Sequence, residues 1–490
     1  MTLDAKHPLY NRHINDWAMC RDLYAGERKI KEKGETYLPP TASMRLDGLQ
    51  LGQPGRIAYE AYKLRSVLPD YFKEAVESLV GIMHQKEPAF DLPEAMKPLI
   101  GRATVKGEGL STLLRRINAE QLITGRIGLH LDLPNNPVSG PTLPYIATYT
   151  AENIINWDEG AAADNINSLN LVVLDESGQR RGPNGFDWED ITRYRVLMLG
   201  ELLANELEGS AVYKSGLFEV MGKGGLEFTD SLMMEPNYQG RALRQVPFVF
   251  INSRDIVPEP DEPPLLGLAR LVLAIYRGEA DYRQSLHMQG QDTLVVTGRV
   301  QDTGGLGDPN ANPLRTGAGA LIETDSGGDA KYIGVSSSGL SEQREALRND
   351  RAEAEAKAGR LIAAAASRQE SGAALKTRLT AQTASLNQMA LAGAAGLESL
   401  LKICAAWIGA DPGQVKVTPN LEFADFDYGG QELVQIMTAR GMGAPLSKKS
   451  IHRLMVDRGL TQMAYEDELD LVEEEDAGMD ASRDDFEEEV

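Results

Sequence analysis

Cysteine is nearly absent from this 490-residue chain. Cys20 and Cys404 stand far apart and outside any CxxC pair, which excludes a disulfide framework and a thiolate metal site. Histidine is as scarce: His7, His13, His84, His130, His287 and His452 are scattered without HExxH or other ligand spacing, so no metal centre is expected. No run approaches the roughly 18 apolar residues of a spanning helix, and Met1 to Asp16 is polar, without the apolar centre of a signal peptide. No membrane partner is therefore expected, and the chain is expected to work inside a cell. There is no GxSxG elbow, no GxxxxGK(S/T) loop and no GxGxxG after a strand, so acyl transfer and nucleotide binding lose their usual signs. What remains, 42% hydrophobic, 25% charged and 6% aromatic, is the composition of a globular protein long enough for about three compact units.

Charge is plentiful and of one sign. Lys and Arg number 50 against 72 Asp and Glu, a net charge of −22, which argues against a protein whose main task is to grip nucleic-acid phosphates. Glu466 to Val490 holds fourteen acids and one base, so this stretch carries −13 and the other 465 residues −9. Such a run is expected to be a solvated appendage.

The first third reads as helical. Tyr71 to His84 places Phe72, Ala75, Val76, Leu79, Val80 and Met83 on one stripe. Leu110, Leu113, Leu114 and Ile117 mark a second helix, with Ser111 as its expected cap and Gly125 where the chain must stop turning. From Ile127 to about Ile251 the pattern changes to short β-branched runs (IGLHL, LNLVVL, RYRVLML, VPFVFI) separated by turn residues, hence an α+β subunit. The stretch VPEPDEPP (Val257 to Pro264) reads as a stiff linker, since proline fixes φ and removes donors. It delivers the chain into an apolar helix from near Leu265 to about Gln289. After the strand DTLVVTG, Arg299 to Gly339 is dense in Gly, Asp, Asn, Pro and Ser and is expected to form exposed loops on a small protruding subdomain.

Ser341 to Ala366 has few large apolar residues but strong helix formers, with Ser341 as cap and Glu342 in the first turn. At about 1.5 Å per residue it spans roughly 40 Å. Its charges balance across Ser341 to Arg360, with Glu342, Glu345, Asp350, Glu353 and Glu355 against Arg344, Arg348, Arg351, Lys357 and Arg360. Polar all round, it is expected to have no core of its own chain to join, so it is either a solvated rod or one packed against copies of itself. Ser367 to Lys376 interrupts the pattern. A long helix follows, with Leu386, Met389, Leu397, Leu400, Leu401, Cys404 and Ile408 on its buried face, while Glu398 and Lys402 speak against a membrane span. A short strand near Val415 to Val417 and a basic helix near Lys448 to Arg458 close the ordered pattern.

Candidate catalytic carboxylates fall in two groups, Asp187, Glu189 and Asp190, and Asp255, Glu259 and Asp261. Acid-base catalysis needs two carboxyl groups in unequal environments within a cleft. Both groups lie in turn-like, Gly- or Pro-containing context and read as loop acids, so no catalytic residue is assigned and no cofactor is expected. The glycine-rich GKGG at Gly222 to Gly225 reads as a hairpin turn, since no helix start or Ser/Thr follows its lysine.

Phe248 to Gly298 resembles the portal proteins of tailed bacteriophages, in the subgroup of the DUF4055 type. That pattern has an apolar strand, a proline-rich bridge ending in Pro-Pro-Leu, a helix carrying Tyr-Arg and Asp-Tyr, then Gly-Gln and a Val-x-Gly strand. Pro263, Pro264, Leu265, Tyr276, Arg277, Asp281, Tyr282, Gly290, Gln291, Val296 and Gly298 stand at those places. Pro69 to Pro88 and Glu370 to Asp411 are similar as well, in the same order along the chain.

The resemblance implies a virion structural protein rather than an enzyme: a ring, usually of twelve subunits, at a capsid vertex, assembled in the host cytoplasm. It implies an α+β subunit with a wing (1–262 and 377–440), stem helices (263–291 and 341–366), a small α/β clip (292–340), a tunnel loop (367–376) and a crown-like helix with the acidic tail (441–490). The stem interface would use Arg344, Arg348, Arg351, Glu353, Glu355, Lys357 and Arg360. Clip docking would use Asp302, Asp308, Asn310, Asn312 and Arg315, and Arg368, Gln369, Glu370 and Lys376 would face the tunnel. Implied partners are further copies of the chain, the terminase packaging motor, the head-to-tail adaptor, the major capsid protein and scaffold, and double-stranded DNA held weakly. The competing expectations are another structural virion or scaffolding protein, or an acidic metal-dependent hydrolase.

Overall fold

The structure, a computed structural model, describes residues 2–134, 143–160, 168–200, 212–221, 227–229, 232–289, 293–297, 327–333, 338–362, 372–421, 423, 430–443, 447–457 and 463–471. The chain divides into two units, Met1–Ala424 and Asp425–Val490, whereas the expected crown began at 441.

The first unit opens with seven helices: α1 (Pro8–Ala25), α2 (Glu27–Lys33), α3 (Ala42–Leu46), α4 (Pro54–Arg65), α5 (Tyr71–Met83), α6 (Pro98–Gly101) and α7 (Leu110–Ile123), with the short strand β1 (Ala89–Asp91) before α6. The stripe expected on α5 is the one buried, all six residues from Phe72 to Met83. Helix α7 starts one residue ahead of the expected cap. Gly109 is its N-cap and makes no side-chain bond, so Ser111 lies inside the first turn. Gly125, at φ +77°, ends the helical path, and an added Cβ would come within 3.3 Å of the Glu262 carbonyl oxygen, so the left-handed turn and the close approach of the linker both suit glycine.

The expected sheet section is present. β2 (Arg126–Asp132), β3 (Tyr145–Thr150) and β12 (Phe248–Asn252) form an antiparallel sheet in the order β12-β2-β3. A six-stranded sheet runs β4 (Ile154–Gly160), β5 (Ser168–Asp175), β7 (Trp188–Leu199), β8 (Tyr213–Met221) and β9 (Met233–Met234), with β6 (Gly178–Arg181) paired to β7. β10 (Asn237–Tyr238) and β11 (Arg241–Ala242) make a hairpin. Then come α8 (Leu266–Gln289), the paired strands β13 (Thr293–Thr297) and β14 (Asp329–Ile333), α9 (Ser338–Ile362), α10 (Gly372–Ile408) and β15 (Lys416–Thr418), which pairs with β1. The subunit is α+β. The GKGG stretch lies outside the described residues.

Two hydrophobic cores share one helix. Along α10, Leu386, Met389 and Ala390 join the core of α1, α4, α5 and α8, while Ala394, Leu397, Leu400, Leu401, Cys404, Ala405 and Trp407 join the core of the sheets and α7. The buried face expected for α10 is confirmed except at Ile408, which is half-buried. Ala384–Ile408 is long and apolar enough to cross a membrane, contrary to the expectation that no such run exists. That length and apolarity follow from serving both cores. Glu398 in its middle pairs with Lys402 at 2.6 Å and accepts the Val417 N–H at 3.0 Å.

Polar groups tie the elements together inside this unit. Arg21 on α1 is bidentate to Glu120 on α7 and also grips Glu152 after β3, at 2.7–3.0 Å. Arg126, fully buried, has its guanidinium close to two rings that meet edge to face, Trp157 (4.4 Å) and Phe250 (4.2 Å). Its three side-chain nitrogens have no hydrogen-bond partner, and burial pushes its pKa down to about 9. Cation–π contact with these two rings supplies part of what the lost hydration took away.

His130, fully buried, pairs with the Tyr213 hydroxyl at 3.0 Å, and burial pushes its pKa down to about 4. An unfolded histidine titrates near 6.5. Between these values the unfolded chain binds more protons than the folded one, so stability is complete above about pH 6.5 and is lost as pH falls toward 4. The full loss is on the order of 3 kcal/mol, from about 1.4 kcal/mol per pH unit. Urea unfolding at about pH 7 and pH 4.5 is expected to show this drop, and His130→Gln to shrink it. An equal drop in the variant would place the acid sensitivity elsewhere.

The second unit holds α11 (Gly430–Gly441), α12 (Lys448–Asp457) and a helical turn at 465–471. Lys449 pairs with Glu466 at 3.2 Å, the His452 and Tyr465 rings meet at 5.3 Å, and Ile451 is buried.

Candidate assembly site on the paired helices

The proline linker is fixed by two side chains from the end of β12. Asn252 Nδ2 donates to Asp255 Oδ1 (2.9 Å) and to the carbonyls of Val257 (2.8 Å) and Glu259 (2.7 Å), and Ser253 Oγ donates to Asp261 (2.8 Å). Asp255 and Asp261 are thus linker acceptors. Asp187, of the other carboxylate group, closes a turn by accepting from Asn184 Nδ2.

The linker launches α8 with Leu265, Leu266, Leu268, Ala269, Val272, Leu273, Ile275 and Tyr276 buried. The Tyr-Arg and Asp-Tyr pairs are anchors. The Tyr276 hydroxyl receives a bond from Ser66 Oγ (3.0 Å), Arg277 Nε donates to the Tyr37 carbonyl (2.8 Å), and Asp281 accepts from the Tyr62 hydroxyl (2.6 Å). Proton sharing with Asp281 adds to burial in raising the Tyr62 pKa far above the ordinary range. These residues hold α8 to α4 and to the chain between α2 and α3.

Helix α9 corrects one expectation. It packs against α8 and α5 of its own chain, burying Leu347, Ala354 and Ala358. These sit at i, i+7 and i+11, a stripe too narrow and too alanine-rich to stand out among charges. A Cβ at Gly278 of α8 would lie 3.1 Å from Leu347, so the helices approach closely there. The helix begins at Ser338, three residues before the expected cap Ser341.

Ion pairs frame that stripe. Glu279 on α8, almost wholly buried, accepts from Arg283 Nε and from Arg351 Nη2 of α9, both at 2.6 Å. Glu355 accepts from the Tyr71 hydroxyl at 3.1 Å, and Lys357 pairs with Glu353 at 2.9 Å. Between the helices runs an open groove of about 610 Å³. Its charged lining is Arg283, Arg344, Arg348 and Arg351 against Glu279 and Glu355. With Glu279 already satisfied, the groove presents a net positive face to acidic or phosphate-bearing groups.

Of the seven expected stem residues, six are placed on this exposed side of α9, four of them (Arg351, Glu353, Glu355 and Lys357) paired within the chain. The Arg360 side chain lies outside the described residues, as do Asp302, Asp308, Asn310, Asn312 and Arg315 of the expected clip and Arg368, Gln369 and Glu370 of the expected tunnel loop. Lys376 is corrected from loop to helix, since α10 begins at Gly372 and Ala373, Ala374 and Leu375 are strong helix formers. Sequence reasoning missed Glu279, whose only signal is Arg283 four residues on, and the Arg21 clamp. Among the described residues no three His, Cys, Asp or Glu side chains are placed to hold a metal ion.

Residues 264–408 match the profile of a family described as a domain of unknown function, DUF4055, which covers less than a third of the chain and includes α8, α9 and α10. A search of curated proteins finds no match. Among solved structures, a chain of the virion of a native gene transfer agent particle is similar, at 14% identity and a TM-score of 0.39, over 85% of this chain and 99% of that one. A chain from the neck of the native particle, computed with C12 symmetry, is 14% identical with a TM-score of 0.38, over 79% and 89%. One from the neck of the empty particle, computed with C6 symmetry, is 16% identical with a TM-score of 0.39, over 80% and 90%. At these scores the likenesses carry no argument about function.

Proposed function

We propose that the chain is the repeating subunit of a portal-type ring at a capsid vertex, a conduit through which double-stranded DNA is packaged and ejected. The observation that carries this reading is the arrangement of α8 and α9. Two long helices lie side by side and bracket the stretch 290–337, within which the described residues form only the β13–β14 pair. The motif residues of the resemblance spend their side chains on holding that pair to the subunit, which leaves the charged face of α9 for a neighbour. A head-to-tail contact repeated by rotation closes into a ring.

In this reading α8 and α9 are the stem, and 292–340 is the clip that docks the packaging motor and then the adaptor through Asp302, Asp308, Asn310, Asn312 and Arg315. The tunnel residues are Arg368, Gln369 and Glu370. Each phosphate contact adds salt-dependent affinity, so a strongly basic tunnel would trap DNA. The net charge of −22 suits weak contact. Major capsid protein and scaffold would surround the wing.

Native mass spectrometry and class averages from negative-stain electron microscopy test the reading. The expected particle is a closed ring of about twelve subunits. A stable monomer at micromolar concentration in moderate salt would defeat it.

A further inference from the structure

Two exposed surfaces of the first unit, one aromatic and acidic, the other aliphatic and basic, complement each other. The first is the turn joining β6 to β7. Gly182 N–H donates to the Asp187 carbonyl (2.8 Å), Gly185 N–H to the Gly182 carbonyl (3.0 Å), and Asn184 Oδ1 accepts from the N–H groups of Phe186 and Asp187 (both 3.0 Å). A turn held this firmly would normally display polar residues. This one displays Phe186, 90% exposed, and Trp188, 62% exposed, interleaved with Asp187, Glu189 and Asp190. Aromatic rings on a pre-ordered turn lose little entropy on docking, and tryptophan is enriched among residues that dominate binding energy.

The second surface is the ridge made by α3, its following turn and α4. Leu46, Leu51 (97% exposed), Ile57 and Leu64 all face solvent, with Ile57 and Leu64 two helical turns apart on the same side of α4. A Cβ at Gly55 would stand 2.0 Å from the Met44 carbonyl oxygen, so α3 and α4 touch. Residues 42–65, the ridge itself, hold Arg45, Arg56, Lys63 and Arg65 against Asp47 and Glu60, a local +2 in a chain of −22. The hairpin 178–190 holds Asp187, Glu189 and Asp190 against Arg180 and Arg181, a local −1, with Arg181 over the Trp188 ring at 6.0 Å.

We propose that the β6–β7 turn of one copy docks on the α3–α4 ridge of the next copy, Phe186 and Trp188 covering the aliphatic ridge while their flanking acids face its basic border. The inference rests on the ring reading and adds to it a contact outside the paired helices. Both surfaces are solvent-exposed within a single chain, so neither satisfies the other internally. Two unlike, complementary patches on one subunit are what a heterologous contact requires, whereas a two-fold dimer needs one self-complementary patch.

A disulfide trap tests it, because Cys20 and Cys404 are buried and leave only introduced thiols to react. Under mild oxidation the double variant Leu51→Cys/Phe186→Cys is expected to give a ladder of cross-linked multimers on denaturing gels. A mixture of the two single variants is expected to give dimers, and each single variant alone none. Independently, Phe186→Ser/Trp188→Ser is expected to weaken ring association at least about tenfold without changing the melting temperature of the subunit. Intact wild-type rings with no ladder, and with rings equally stable in the serine variant, overturn the docking and leave the ring reading standing. Intact rings whose only defect is lost binding of a capsid protein also overturn it, since the turn would then serve a different partner. A monomeric wild type overturns the ring reading and this contact with it, and its mass alone identifies that case.

Discussion

Ala354→Arg is expected to cost about 3 kcal/mol of subunit stability and to abolish assembly into the proposed ring. Ala354 has no exposed surface where α9 packs against α8 and α5. An arginine there must either push the helices apart or bury its stem and charge without a partner. Overpacking costs about 1–3 kcal/mol and an uncompensated buried charge about 3–5 kcal/mol, with partial relief if the long side chain reaches solvent. Lifting α9 also pulls Arg351 from Glu279 and Glu355 from Tyr71, removing the frame of the groove. Ala356→Arg, on the exposed side of the same helix, is the matched control and is expected to stay within about 0.5 kcal/mol of wild type. Urea unfolding and native mass spectrometry read the two effects. Equal behaviour of the two variants would mean that α9 is held by something other than its buried stripe.

The second large effect is expected at Trp407. Its indole is 1% exposed in the sheet core near the end of α10, and its Nε1–H donates to the Arg241 carbonyl of β11 at 3.0 Å. Trp407→Ala removes one of the three tryptophans of that core and leaves the carbonyl without its donor, a loss of about 3–5 kcal/mol. Trp407→Phe keeps most of the packing and loses the bond, so about 1–2 kcal/mol is expected. A shift in the urea midpoint that is as large for phenylalanine as for alanine would show that the hydrogen bond, not the volume, governs the site.

The parts of this fold legible in the sequence are those where one physical pattern dominates over a long window. Helix α5 could be read because six apolar residues share one stripe, and the strands from β2 to β12 because β-branched runs alternate with turn residues. The proline linker was legible for the same reason, although the bonds from Asn252 and Ser253 that fix it come from a neighbouring strand and leave no local trace. Helix α9 was found, but its partner was not. One leucine and two alanines, seven and four positions apart, are invisible among ten charges, so a helix packed inside its own chain looked like one with nowhere to go. The start of α10 was missed because Gly372 and the serines before it read as a turn, whereas Ala373 to Leu375 already favour helix. Of the candidate site, the charged residues of α9 could be listed from sequence. Glu279 could not, because its importance depends on burial between helices some seventy residues apart.

Helix α10 carries residues of both hydrophobic cores along a single rod, so each core must fit side chains set by the same helix. A recombination event that exchanged only the N-terminal helices, or only the sheets, would bring together one core shaped by one ancestor and a spine shaped by the other. Such hybrids would pair mismatched volumes along α10. Productive shuffling between related genomes should therefore transfer 1–424 as a block, with crossovers outside it.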